Sequence, residues 1–79
     1  MELLFKEKKI IFPEKYFIDF RARNQKNMFD PKDGIVKSPK PKSFGLDDER
    51  GYVVTMIFPD GTESEFSVPR NELRVEDLR

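Results

Sequence analysis

The side chains able to do chemistry in this chain are carboxylates, lysines and arginines, for histidine and cysteine are absent. Without imidazole the commonest general base and metal ligand is missing. Without thiols there is no disulfide framework, thiolate nucleophile or thiolate metal site. Carboxylates do stand close together, in Asp47-Asp48-Glu49, in Glu76-Asp77, and in Glu63 with Glu65. Paired carboxylates are what glycoside hydrolysis requires. None of these pairs sits among apolar residues that would raise a pKa, so a solvated role is expected for all three. The acidic run also lacks the spacing of a calcium-binding loop. Asp33-Gly34 and Asp60-Gly61 read as turns, not phosphate loops. No enzymatic activity, cofactor or metal is expected.

Two binding chemistries remain. Arg21 and Arg23 share one side of an alternating segment with Phe17, and Lys26, Lys37, Lys40 and Lys42 lie in loops that a small barrel brings to that side. Cations beside an exposed ring hold single-stranded nucleic acid by phosphate contacts and base stacking. Against this stands the balance of 15 basic and 15 acidic residues, since a nucleic-acid-binding domain is expected to be strongly basic. The other chemistry is protein recognition. Phe17, Val53 and Ile57 are apolar on faces that otherwise read as wet, and an uncovered apolar set marks an interface. Lys40 and Lys42 belong to Ser38-Pro39-Lys40-Pro41-Lys42, which reads as a linear ligand for a partner or as a plain solvated loop.

These residues need elements to position them, and the clearest is Gly51 to Val68. Tyr52 to Phe58 is rich in β-branched and aromatic residues, which suit a pleated surface. Phe58-Pro59-Asp60-Gly61-Thr62 is a turn: Pro59 presets φ, Asp60 takes the second corner and Gly61 the left-handed position of a bulged hairpin. That turn predicts Phe58 opposite Thr62, Met56 opposite Ser64, Val54 opposite Phe66 and Tyr52 opposite Val68. One face then carries Tyr52, Val54, Met56, Phe58, Phe66 and Val68 and is the core face. The other sets Val53, Thr55 and Ile57 against Ser67, Glu65 and Glu63. The second strand alternates cleanly, whereas the first is apolar on both faces. Either the N-terminal residues cover Val53 and Ile57, or a partner does.

Leu3-Leu4-Phe5 and Ile10-Ile11-Phe12 read as two strands joined by a charged turn, with an amphipathic helix as the competing reading. Tyr16 to Arg23 alternates, with Tyr16, Ile18, Phe20 and Ala22 on one face, and is expected to be a strand. Asn24 to Asp33 is rich in turn formers, and Met28-Phe29 is expected to anchor that loop on the core. Gly34 to Ser38 reads as a short strand. Ser38 to Gly51 is expected to be a long irregular loop, because Pro39 and Pro41 oppose helix and central strand. Pro69 to Glu72 reads as one tight turn before a last strand, Leu73-Arg74-Val75, and Glu76 to Arg79 is expected to fray.

From Asp33 onward this order resembles the SH3-like small barrels of the Tudor and KOW type. The matching residues are Gly34-Ile35-Val36, Tyr52 to Gly61, and Val68 to Leu73. The resemblance covers residues 33–76 and implies a binding module that uses loops and one sheet face. It does not transfer an aromatic cage, since the hairpin register puts Tyr52 on the core face. An OB-like barrel or a meander sheet is the other all-β reading.

A chain of 79 residues makes one domain with a small core, enriched by eight Phe and two Tyr. The expected fold is all-β: residues 1–32 form an N-terminal β extension and first barrel strand, and residues 33–79 form the SH3-like core. Residues 1–42 carry eleven basic against six acidic side chains, whereas residues 43–79 carry four against nine. Such segregation marks an interaction face, a weak homodimer included, unless the two poles neutralise each other within the domain. The N-terminus lacks the apolar region of a signal peptide, and no apolar run approaches membrane-spanning length, so a cytoplasmic location is expected. The favoured function is a non-catalytic protein-interaction or adaptor module, with single-strand or RNA binding as the alternative.

Overall fold

In the computed structural model, which describes residues 1–78, eight strands and one short α-helix form a mostly β domain. The strands are β1 (Glu2–Phe5), β2 (Lys8–Ile11), β3 (Phe29–Asp30), β4 (Ile35–Val36), β5 (Lys40–Asp47), β6 (Gly51–Ile57), β7 (Glu63–Val68) and β8 (Arg74–Asp77). The helix is α1 (Glu14–Arg23). Three antiparallel sheets form, ordered β1-β2-β8, β3-β4 and β5-β6-β7, and they do not close into a barrel.

The β6–β7 hairpin has the register its turn chemistry predicts. Tyr52 faces Val68, Val54 faces Phe66, Met56 faces Ser64 and Ile57 faces Glu63. The Phe58 amide donates to the Thr62 carbonyl at 2.8 Å, and Gly61 closes the turn with φ +89°, its own N–H donating to the Phe58 carbonyl at 2.9 Å. The Asp60 carboxylate accepts from the Thr62 amide and hydroxyl, which fixes the corner. Val54, Met56, Phe58, Phe66 and Val68 are buried on one face as expected.

What covers that face differs from the sequence reading. Tyr16 to Arg23 is not a strand but the body of α1. Phe17 and Phe20, three apart, both enter the core, while Ile18 stays 55% exposed. Helical periodicity wins because the neighbours supply helical signals: Pro13 precedes the first turn, Glu14 sits near its positive end, and Asp19 pairs with Arg23 four residues on, at 3.1 Å. Asn24 ends the helix, its side-chain amide donating back to the Phe20 carbonyl at 2.8 Å. Ten residues are too few for a stable isolated helix, so packing on β7 decides the matter. The Tyr16 hydroxyl donates to the Glu72 carboxylate and ties the helix to the short 3₁₀ turn Arg70–Glu72.

The N-terminal extension is a β hairpin, β1 paired with β2. It extends further than expected at its partner edge. Glu76 and Asp77 do not fray but pair with Lys9 and Lys8 in β8, while Arg79 lies outside the described residues. Ile10 and Phe12 from this hairpin are buried with Val54 and Phe66.

The expected loop from Ser38 to Gly51 contains an eight-residue strand, β5, on β6. Its prolines do not forbid this. The Phe58 amide points at β7, so alternate residues of β6 (Ile57, Thr55, Val53) point at β5, and Met56 points away from it. Pro41 lies opposite Met56, hence its missing N–H faces the open edge, where proline is tolerated. A bulge between Pro41 and Ser43 leaves Lys42 as the extra residue.

Gly51 starts β6 with φ +86°, and a Cβ there would sit 2.6 Å from the Val68 carbonyl oxygen. Gly51→Ala is therefore expected to cost about 2 kcal/mol or more and to lower Tm by roughly 10 °C. Gly45 lies in β5 with nothing within 4 Å of such a Cβ, so Gly45→Ala should stay within about 0.5 kcal/mol. Thermal unfolding of the two variants side by side checks this; equal effects would contradict it.

Candidate interaction surfaces

The N-terminal hairpin lies over the core face of the β5-β6-β7 sheet, with Phe12 5.6 Å from Phe66 and Phe5 4.9 Å from Phe44, ring to ring. It does not cover Val53 and Ile57, which belong to the opposite face. Val53 is half-buried there, and Ile57 is 37% exposed. Two ion pairs reach over this outer face. Lys42 holds both oxygens of Glu63 at 2.8 Å, and Arg50 donates to Glu65 at 2.8 Å. Asp47 accepts from the Glu49 and Arg50 amides, and these bonds, Arg50 first, hold its carboxyl below the usual range.

Ile57 borders a hollow of about 260 Å³ shared with Lys37, Lys40 and Pro59. Three residues singled out from sequence, Ile57, Lys40 and Lys37, thus meet at one place. The far wall is the β3–β4 ribbon. Asp30, only 8% exposed, organises that ribbon: its carboxylate accepts from the Lys32 amide at 2.9 Å and from the Lys37 ammonium at 3.0 Å, and its carbonyl accepts from the Gly34 amide at 2.8 Å. Lys37 also pairs with Asp33. The ribbon leaves Phe29, Ile35 and Val36 exposed at 48%, 54% and 66%. Met28 is the anchor on the core, as expected, but Phe29 is not. A cross-strand pair of Phe29 and Val36 was hidden in the sequence, because each belongs to a strand of only two residues.

The nucleic-acid candidates are not assembled into one basic face. Phe17 is a core residue, 7% exposed, and its ring packs 6.2 Å from Phe66. It therefore offers no surface for stacking or for a partner, contrary to expectation; the helix turns it inward. Arg21 lies over the Phe17 ring at 5.8 Å and is half-buried, with an Nε that has no partner among the described residues. Arg23 is paired with Asp19 and Lys37 with Asp30, while Lys26 makes no ion pair among the described residues. No described group of three or more carboxylates is arranged to hold a metal ion, and no described helix is long and apolar enough to cross a membrane.

The Lys37 bond, then the Lys32 amide, holds the Asp30 carboxyl below its ordinary pKa. Asp33, then Asp30, raises Lys37 above its own. A depressed carboxylate stabilises the fold above its unfolded pKa of about 3.9, and that contribution is lost as pH falls through the folded value. The raised lysine contributes below about 10.4 and loses its contribution as pH rises through the folded value. The pair is thus fully formed at neutral pH. Asp30→Asn is expected to lower Tm at pH 7, and the two melting curves should converge as pH falls toward about 2. A Tm difference that stays constant down to that pH would remove Asp30 from this role.

No protein-family model, no curated protein and no solved structure matches the chain.

Proposed function

We propose that the protein is a non-catalytic protein-interaction module whose partner seats on the Ile57 side of the molecule. The observation that carries this is a set of large apolar side chains left open on one part of the molecule: Ile57 lines the hollow, and Phe29, Ile35 and Val36 are exposed on the β3–β4 ribbon whose Asp30 lines it from the other side. The domain's core is complete without them, since none of the four belongs to the buried cluster. Exposed apolar groups with polar surroundings are what a protein partner covers. Lys40, exposed at the same hollow without an ion pair among the described residues, supplies the charged rim. Val53 and Lys42 extend the surface along the outer sheet face, with Lys42 already engaged by Glu63. The SH3-like resemblance of residues 33–76 also points to a binding module; it rests on Gly34-Ile35-Val36, the hairpin and the turn after it, not on barrel closure.

Ile57→Lys and Val36→Lys test the reading. Each is expected to leave Tm within about 4 °C of the parent, as exposed substitutions do, while abolishing co-purification of the partner from cells expressing the tagged chain. An unchanged set of co-purified proteins in both variants would defeat the proposal. A dye-labelled single-stranded oligonucleotide provides the contrast. Binding at low salt that survives Ile57→Lys but weakens in the Arg21→Ala, Arg23→Ala double variant would favour nucleic-acid recognition instead.

A further inference from the structure

A second surface lies on the other side of β5. The β1–β2 turn and the open edge of β5 enclose a groove of about 690 Å³. Its floor is Phe5 against Phe44, both half-buried, and Leu4, 62% exposed, forms a wall. Its rim carries Lys6, Lys8 and Lys42, with Glu7 the rim's acid. Neither Lys6 nor Lys8 makes an ion pair among the described residues, and Lys42 is drawn to Glu63. Lys6 holds φ +49°, a left-handed conformation that favours glycine, so this lysine is kept in the turn at a conformational cost.

The backbone beside the groove has no hydrogen-bond partner among the described residues. Val53 and Gly51 point their amides at β5, where they face Gly45 and Asp47. Phe44 and Leu46, the alternate residues, therefore aim their N–H and C=O groups away from β6, at the free edge. Leu46 is 52% exposed beside it. An apolar floor, a cationic rim and a row of free backbone groups form a single strip.

We infer that this strip binds an extended acidic peptide, which adds as a strand to the Phe44–Asp47 edge of β5, places an apolar side chain on Phe5 and Phe44, and sets its carboxylates against Lys6 and Lys8. Backbone pairing supplies the affinity and the groove supplies the side-chain preference. The charge match selects acidic sequences and makes binding salt-dependent. This surface is separate from the Ile57 hollow, so either can fail without the other.

The probe is a dye-labelled, acetylated heptapeptide, Glu-Glu-Val-Phe-Val-Glu-Glu, titrated by fluorescence anisotropy at low salt. Saturable binding is expected, weakened about tenfold in the Lys6→Gln, Lys8→Gln double variant, whose exposed substitutions should leave Tm unchanged. N-methylating one alternate set of peptide amides should abolish binding, and methylating the other set should leave it within about threefold, because only one set faces β5. Amide resonances of Phe44 and Leu46 should shift while those of Val53 and Ile57 do not. No saturation at millimolar peptide, insensitivity to N-methylation, or shifts confined to Ile57 would overturn the proposal. So would equal competition by an oligothymidylate of matching charge, which would mean a generic polyanion site. Concentration-dependent dimerisation that protects the Phe44 and Leu46 amides without peptide would assign the edge to a second copy instead.

Discussion

The packing of Phe20 against the β6–β7 hairpin is the contact on which the rest of the structure depends. Its ring stacks on Phe58 at 5.5 Å and lies 5.0 Å from Phe66, and the side chain is fully buried. Phe58 and Phe66 share a face only because the Pro59–Gly61 turn sets the register; a slip of one residue would put them on opposite faces. Phe20 reaches them only in a helix, where it and Phe17 lie on one side. Phe12 then closes on Phe66 from the N-terminal hairpin. A domain this small buries a modest share of its surface, so a few aromatic rings from three elements carry most of its cohesion.

This dependence explains what could and could not be read from the residues. The hairpin was legible in full because its turn chemistry is local: proline, aspartate and glycine at adjacent positions leave one register. Tyr16 to Arg23 was not, since its residues satisfy a period of two as well as one of three to four, and only the hairpin's exposed rings choose between them. The cost of that misreading was functional. As a strand the segment would show Phe17 and Arg21 to solvent; as a helix it hides one and half-buries the other. Of the proposed binding residues, Ile57, Lys40 and Lys37 converge because they sit on or beside the hairpin, the part that was legible. Phe29 was read as a core anchor and Ile35 and Val36 as part of a short strand, but not as one exposed cross-strand ribbon, because a two-residue strand has too few positions to show a period.

Charge segregation along the chain dissolves in three dimensions. Lys9 pairs with Glu76, Lys15 with Glu72 and Lys42 with Glu63, each joining the basic first half to the acidic second. Exposed pairs of this kind add little stability one by one. Their effect is on recognition: they offset part of the positive field that a nucleic acid would feel, while Lys6, Lys8 and Lys40, like Lys26 and Lys32, make no ion pair among the described residues.

Lys6, Lys8 and Lys40 lie on or beside one strand. β5 is the edge of its sheet, and edges invite unwanted pairing unless blunted. Its first half carries the usual protections, with Lys40, Pro41, Lys42 and a bulge in succession. Its second half, Phe44 to Asp47, carries none of them and presents Phe44 and Leu46 in regular pairing with β6. Protection that stops halfway along a strand separates two demands on it. The protected half keeps copies from zipping together along the full length. The unprotected half stays short, about four residues, which is enough for a peptide strand to pair with and too little for a stable sheet-to-sheet association by itself.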